Sequence, residues 1–390
     1  MGHFPELDRL LDFMEEHIDL SHLTEIEDLQ YDAIRYRDVA RLPLSVRIPH
    51  TGYEQAPLTS AYHDPEKMLY NEILWSTMHS AYNSVRTGDD GPLMIRSNYG
   101  IGVIPSLFGC KPVIFNNEMP WVEPMSVDRA KKIFAKGVPE LDQSLGKRVK
   151  ETYQYYHERL KAYPKCYAAI HITQPDLQGP YDILHHIIGN EAFILPFDSP
   201  ALTKYIIDVI TDTYIAFRQY IDPYLTDRVH GDAVLVHGLC VGGKVMIKAD
   251  TGSANLSPEI YQRYEGEPDR RIMGAFADEG GGSLHYCGAP KNWHNSKIMN
   301  PYLRCINYGN PELHDLSSEY AFLKQRNVAI VGWGNNQGYA RILKDIETGD
   351  AGSPILTGLT LLCEAGSVGE AREIIYRHRD ICAMHKEKSA

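Results

Sequence analysis

Short apolar runs alternate with longer amphipathic stretches through most of this 390-residue chain, and that order admits few folds. Strand, helix and strand in succession imply parallel pairing through a crossover, because only antiparallel neighbours can be joined by a tight turn. The pattern predicts a first strand within 41–49, helix over 65–85, and strand with loop over 93–104. Two helical stretches follow in 126–163, split at Gly137-Val138-Pro139, then a strand in 166–173 and a long amphipathic helix over 199–224. A strand at 244–248 precedes a helix whose start is marked by Ser257 as N-cap and Pro258 at the first helical position. Brief apolar runs at 283–287, 303–307, 328–332 and 354–363 complete the strands, and 369–378 closes as helix. With no long antiparallel run, two architectures remain: an open doubly wound sheet or a closed barrel. Length and strand number favour an α/β fold of the (β/α)8 TIM barrel type over 41–390, preceded by a helical extension over 1–40. Chemistry is then expected where strands end and the loops to the next helices begin.

Composition narrows the partners. Asp and Glu outnumber Lys and Arg 51 to 39, giving a net charge of −12 with histidine neutral, and no basic run offsets it. Such a chain repels polyphosphate, so nucleic acid is not an expected partner. No run approaches the length of apolar residues that a membrane span needs. Glu6, Asp8, Glu15, Glu16 and Asp19 are unlike a secretory signal. Seven scattered cysteines do not read as a disulfide framework. Together these features predict a cytoplasmic protein with free thiols.

Two glycine-rich segments imitate nucleotide-binding loops. The segment 238–244 matches a phosphate loop up to Lys244. However, Val245 stands where a Ser or Thr should hold Mg²⁺, and strand rather than helix follows. At 332–338, Trp333 sits between the first two glycines and the third glycine comes one place late for a dinucleotide fingerprint.

His285 and Cys287 carry a sharper signal. Two apart on a predicted strand, they leave the same face, and imidazole with thiolate suits Zn²⁺. The plainer alternative is a buried cysteine beside a histidine bonded to backbone. A third ligand must come from elsewhere. Cys363 ends the last predicted strand, and in a closed barrel the ends of non-neighbouring strands can converge on one point. Cys305 reads as core, Cys382 as surface in a polar tail, and Cys110, Cys166 and Cys240 as structural. His171 and His237 read as satisfied core or loop histidines.

Several ordered motifs resemble the uroporphyrinogen decarboxylase superfamily. They are Gln178-Gly179-Pro180-Tyr181 followed by Gly189-Asn190-Glu191, then Asp250 ahead of Ser257-Pro258-Glu259-Ile260-Tyr261. His285-Tyr286-Cys287-Gly288 and Val328-Ala329-Ile330-Val331-Gly332 follow in the same order. The Arg-Gln-Ala-Gly-Arg-Tyr segment of true decarboxylases is absent near the first strand, which has Leu44-Ser45-Val46-Arg47 instead. The pattern of His-x-Cys plus a distant Cys is similar to the cobalamin-dependent branch, the methylcobamide:coenzyme M methyltransferases. That resemblance implies zinc at His285, Cys287 and Cys363, and a methyl group exchanged between a small-molecule thiol or other acceptor or donor and a corrinoid (cobalamin) carried by a partner protein. It also implies a possible homodimer. No corrinoid-binding motif of the chain's own is present. Asp250 is expected to orient His285 or touch substrate; Arg47, Asn98, Gln178 and Trp333 fall at strand ends or loops as substrate-binding candidates. Two rivals remain: a metal-free lyase using Asp250 and Arg47 on a carboxylated substrate, and a non-catalytic subunit that docks a corrinoid protein.

Overall fold

A computed structural model describes residues 4–49, 52–75, 79–115, 117–289, 300–350 and 352–389. Its strands are β1 (Leu44–Arg47), β2 (Met94–Arg96), β3 (Lys111–Val113), β4 (Trp121–Glu123), β5 (His171–Thr173), β6 (Arg228–Val229) and β7 (Ala233–Val236). They continue with β8 (Leu239–Gly242), β9 (Val245–Lys248), β10 (Gly282–Tyr286), β11 (Leu303–Tyr308), β12 (Ala329–Trp333) and β13 (Leu359–Glu364).

The chain is mixed α/β around a parallel six-stranded sheet in the order β1-β13-β12-β11-β10-β9. β2 and β5 form a separate parallel pair. Both edges of the large sheet are tied toward that pair. At one edge, Gln178 and Lys248 form a parallel bridge and the Gln174 amide donates to the Met246 carbonyl at 3.0 Å. At the other, the Leu44 and Val46 N–H groups donate to the Asp90 and Asp89 carboxylates at 3.1 and 2.6 Å. Carboxylates just ahead of β2 thus occupy an edge that would otherwise present unpaired donors.

The two faces of the sheet serve different cores. Leu44, Val46, Ile306, Ile330, Leu359, Leu361 and Cys363 pack toward the helices, with Leu69, Ile206 and Phe217 among their helical neighbours. Met246, Cys305, Ala329 and Val331 face the other way and pack against β7 and β8. Residues sharing a register position share a face, so this division also fixes which strand-end side chains can meet.

β6, β7 and β8 make an antiparallel sheet, contrary to the expectation of purely parallel strands. All residues of β7 and β8 are buried, which removes the alternation that would mark a hairpin in sequence. The phosphate-loop imitation is accounted for by this hairpin: β7 and β8 reverse at His237-Gly238, with φ of 57° and 81°, as a tight hairpin turn requires.

Most predicted helices form. Helices Val127–Phe134 and Ser144–Leu160 flank the break at 137–139, and Ser257 accepts from the Ile260 N–H as an N-cap. The stretch 65–85 divides into helices Pro65–Trp75 and Ala81–Thr87, the second capped by Ser80; 76–78 lie outside the described residues. The expected strand over 166–173 is instead a helix, Pro164–Ala169, leading into β5, because Pro164 supplies a helix start. The first residues form helices Pro5–His17 and Leu20–Ile34, and Leu7, Leu10, Leu11 and Met14 enter the main core. The closing helix, Val368–Ser389, carries Cys382 inward against His378 at 3.6 Å, so Cys382 is buried rather than a surface residue. Among the described residues, no helix is long and apolar enough to cross a membrane.

Candidate functional site

Three side chains from two adjacent strand ends converge. Asp250 opens helix Asp250–Asn255 directly after β9, His285 lies near the end of β10, and Cys287 just beyond it. The Cys287 N–H donates to Asp250 Oδ1 at 2.6 Å, which draws the carboxylate over the end of β10. His285 Nε2 stands 3.7 Å from Cys287 Sγ and 3.8 Å from Asp250 Oδ1. One ligand atom from each residue lies within 4.8 Å of the others. Gly309 makes room for the thiol: a Cβ there would fall 2.6 Å from Cys287 Sγ.

A single asparagine sets which histidine nitrogen faces this group. His285 is in register with Asn307 on β11, and Asn307 with Val331 on β12. Asn307 Nδ2 donates to the Val331 carbonyl at 2.7 Å, so its Oδ1 points the other way and accepts from His285 Nδ1 at 2.6 Å. The Nδ1 proton is thereby fixed, and the Nε2 lone pair faces Asp250 and Cys287. Burial holds His285 below its ordinary pKa despite the nearby Asp250 charge, which keeps the imidazole neutral. Burial, with Asp250 beside it, pushes the Cys287 thiol up to about 12. A neutral imidazole, a carboxylate and a thiol that only a cation would deprotonate are a fitting donor set for a divalent ion. Tetrahedral Zn²⁺ bonds place such ligand atoms about 3.3–3.6 Å apart, and the two observed separations are slightly longer.

An ionic chain runs from this group into a cavity. Lys248, at the end of β9, reaches Asp176 Oδ1 at 2.8 Å and His237 Nδ1 at 3.3 Å; the His237 and His285 rings are 5.6 Å apart. His237 thus stands at the hairpin tip against the site. Burial, then the Lys248 and Arg96 charges, hold it neutral. Arg96, ending β2, pairs with Asp176 Oδ2 at 3.4 Å. Burial would raise the Asp176 carboxyl, but Lys248 and Arg96 outweigh it and hold it far below the carboxylate range. Asp176 and Arg96 form part of the wall of a cavity of about 550 Å³. Arg47, Glu72 and Asn98 add polar groups to it, while Tyr62, Met68, Met119 and Trp121 add apolar surface.

The expected residues divide. Asp250, His285 and Cys287 come together. Arg47 and Asn98 line the cavity, with Arg47 3.4 Å from Glu364 and Asn98 donating to Glu72 at 2.8 Å. Gln178 stands one contact behind, donating to Asp176 at 2.7 Å. Asp250 does not meet His285 Nδ1, which bonds Asn307; its carboxylate faces Nε2 instead.

Cys363 and Trp333 are not brought into this group. Cys363 is in register with Val46 and packs, fully buried, on the helix side of the sheet. His285 shares its face with Asn307 and Val331, on the opposite side, and Cys363 does not join the Asp250–His285–Cys287 group. The residue of β13 on the Arg47 face is Glu364. Trp333 is likewise turned into the helix-side core, its indole N–H donating to Asp345 at 3.4 Å, after the pairing of β12 with β13 shifts between Ile330 and Trp333.

Asn307, Asp176, Lys248 and Arg96 escaped the sequence reading, whereas His237 is the satisfied loop histidine expected from the sequence, bonded to Lys248. Arg96 and Lys248 share one available signal: each is a polar residue at the C-terminal end of an otherwise apolar strand, and Asn307 stands one place from the end of β11.

No family model matches the chain, and no curated protein matches it. Among solved structures, a methyltransferase from Methanosarcina mazei is similar over 91% of this chain and 98% of its own, with a TM-score of 0.61 and 14% sequence identity. At that identity the likeness is one of fold.

Proposed function

We propose that this chain is a methyltransferase whose parallel strands close into a (β/α)8 barrel, with Zn²⁺ held by Asp250, His285 and Cys287. Its reaction moves a methyl group between a small thiol and a corrinoid carried by a partner protein. The observation that carries this reading is the convergence of three donors around an imidazole whose lone pair is aimed by Asn307. The fold likeness to the Methanosarcina mazei methyltransferase supports it, as do the ties at both edges of the large sheet.

Bound zinc would supply a Lewis acid that keeps a substrate thiol as its thiolate at neutral pH. The remaining work belongs to the chain. One carboxylate, one thiolate and one neutral imidazole balance the charge of a divalent ion, as two thiolates and an imidazole would, and leave a fourth position for substrate. The Cys287 N–H holds Asp250 in place, and Asn307 prevents the imidazole from exchanging its nitrogens. The adjoining cavity would receive the rest of the substrate, with Arg47, Arg96 and Asn98 offering donors to its polar end. In the transfer from corrinoid to thiol, the sulfur–carbon bond forms as the cobalt–carbon bond breaks, and the electron pair of the latter stays on cobalt.

The test is demethylation of free methylcobalamin by zinc-loaded protein with a panel of small thiols, read by absorbance and by the methylated product. Thioether formation that requires zinc and is lost in Cys287→Ala and His285→Ala is expected. Equal turnover by metal-depleted protein, or by either variant, would overturn the reading.

A further inference from the structure

We propose that a cleft at the end of the sheet opposite the metal-binding group is a binding site for a tetrahedral oxyanion, the phosphate class of ligand. The cleft has a volume of about 460 Å³ and is lined by Ile34, Arg35, Tyr36, Gly242, Arg304, Arg326 and Asn327. Its position follows from the strands. Gly242 precedes β9, Arg304 is the second residue of β11, and Arg326 and Asn327 precede β12. These positions lie at or ahead of the starts of β9, β11 and β12, Gly242 being also the last residue of β8, whereas Asp250, His285 and Cys287 stand at strand ends.

Three guanidinium groups border this cleft in a chain of net charge −12. Arg35 is paired with Asp232 at 2.5 Å. Among the described residues, neither Arg304 nor Arg326 has a carboxylate within ion-pair distance. Each uses Nη1 on backbone carbonyls, Arg304 on Pro301 and Leu303 and Arg326 on Phe322, and its other N–H donors have no hydrogen-bond partner there. Burial, with Arg35 close by, depresses Arg304, and the Asp232 carboxylate that pairs with Arg35 offsets this only in part. The backbone also brings side chains here at a cost: Tyr36 and Asn327 both take left-handed conformations, with φ of 57° and 52°. A phosphate or sulfate oxygen pair matches the fork of a guanidinium, and several forks around one cleft select a multiply charged oxyanion over chloride.

Isothermal titration of the full chain with inorganic phosphate, at constant ionic strength set with chloride, tests the proposal. Saturable binding of one phosphate per chain is expected, with sulfate competing. Arg304→Gln should weaken it by about tenfold, and Arg304→Gln with Arg326→Gln by more, since each removes a charged hydrogen-bonding group. If Arg304→Gln does not fold, Arg326→Gln, which alters an exposed residue, locates the site alone. No saturable binding at millimolar phosphate, an unchanged affinity in the folded variants, or loss of binding in Arg47→Gln instead would overturn it. Preference for citrate over both phosphate and sulfate would also overturn it, by showing a carboxylate site.

Discussion

Replacing Asn307 separates the metal-aiming role of this residue from its structural one. Asn307→Leu keeps the branched outline of the side chain but deletes two buried hydrogen bonds, at 2.6 Å to His285 Nδ1 and 2.7 Å to the Val331 carbonyl. Each of the two stranded groups costs about 1–3 kcal/mol, so the variant should lose about 2–6 kcal/mol of stability. Its zinc affinity should fall by about 10–100-fold, the usual effect of removing an outer partner of a ligating histidine. Asn307→Asp is the informative companion. It still accepts from Nδ1, and carboxylate–histidine pairs support zinc well, but its second oxygen opposes the Val331 carbonyl. That variant should therefore be destabilised while binding zinc close to the wild-type affinity. Competition with a chromophoric chelator gives the affinities, and thermal unfolding without metal gives the stabilities. Were Asn307→Leu to bind zinc as tightly as wild type while His285→Ala does not bind it, the tautomer argument would be refuted.

Other consequences can be measured on the same material. Cys363→Ala should leave zinc stoichiometry and affinity unchanged, with only the modest loss of stability expected of a trimmed core residue; metal analysis after dialysis decides it. Asp250→Asn can still accept the Cys287 N–H but loses a charged donor, so chelator competition should show zinc affinity falling by about 100-fold or more. Because the Cys287 thiol lies at about 12, zinc binding must expel its proton. Affinity should therefore rise by about tenfold per pH unit between pH 6 and 8, and calorimetry in two buffers should count one proton released. Elsewhere, burial raises Asp227 from 3.8 to about 6, opposed by Arg218 and Lys244. The folded chain then keeps a proton that the unfolded chain releases, so this residue's contribution to stability declines as pH rises from about 4 to about 6. Asp227→Asn should flatten that part of the pH–stability curve, and an unchanged slope in thermal unfolding would count against it.

What the sequence makes legible follows local physics. Ser257 with Pro258 marks a helix start, Gly137-Val138-Pro139 marks a break, and two-residue spacing places His285 and Cys287 together; all can be read within a few residues. Cys363 shows where such reading ends. Leu359 through Cys363 is buried on both faces of the sheet, so its composition carries no alternation from which to tell inward from outward residues. A one-place difference in parity moves the thiol to the helix side and presents Glu364 instead. The same difficulty hides the β7–β8 hairpin and the direction of Trp333. Asn307 was missed for another reason: its role arises from pairing across strands, with His285 22 residues away in the chain. Asp250 is visible in sequence as a strand-end carboxylate, but its place beside His285 Nε2 follows only from the 2.6 Å bond from the Cys287 N–H.

The central claim is a metal held by one sulfur, one imidazole and one carboxylate. X-ray absorption at the zinc edge of zinc-loaded protein tests it most directly. The account predicts a single Zn–S contact near ~2.3 Å with the remaining ligands nitrogen or oxygen near ~2.0–2.1 Å, the sulfur being lost in Cys287→Ala. Two sulfur ligands, or none, would contradict it.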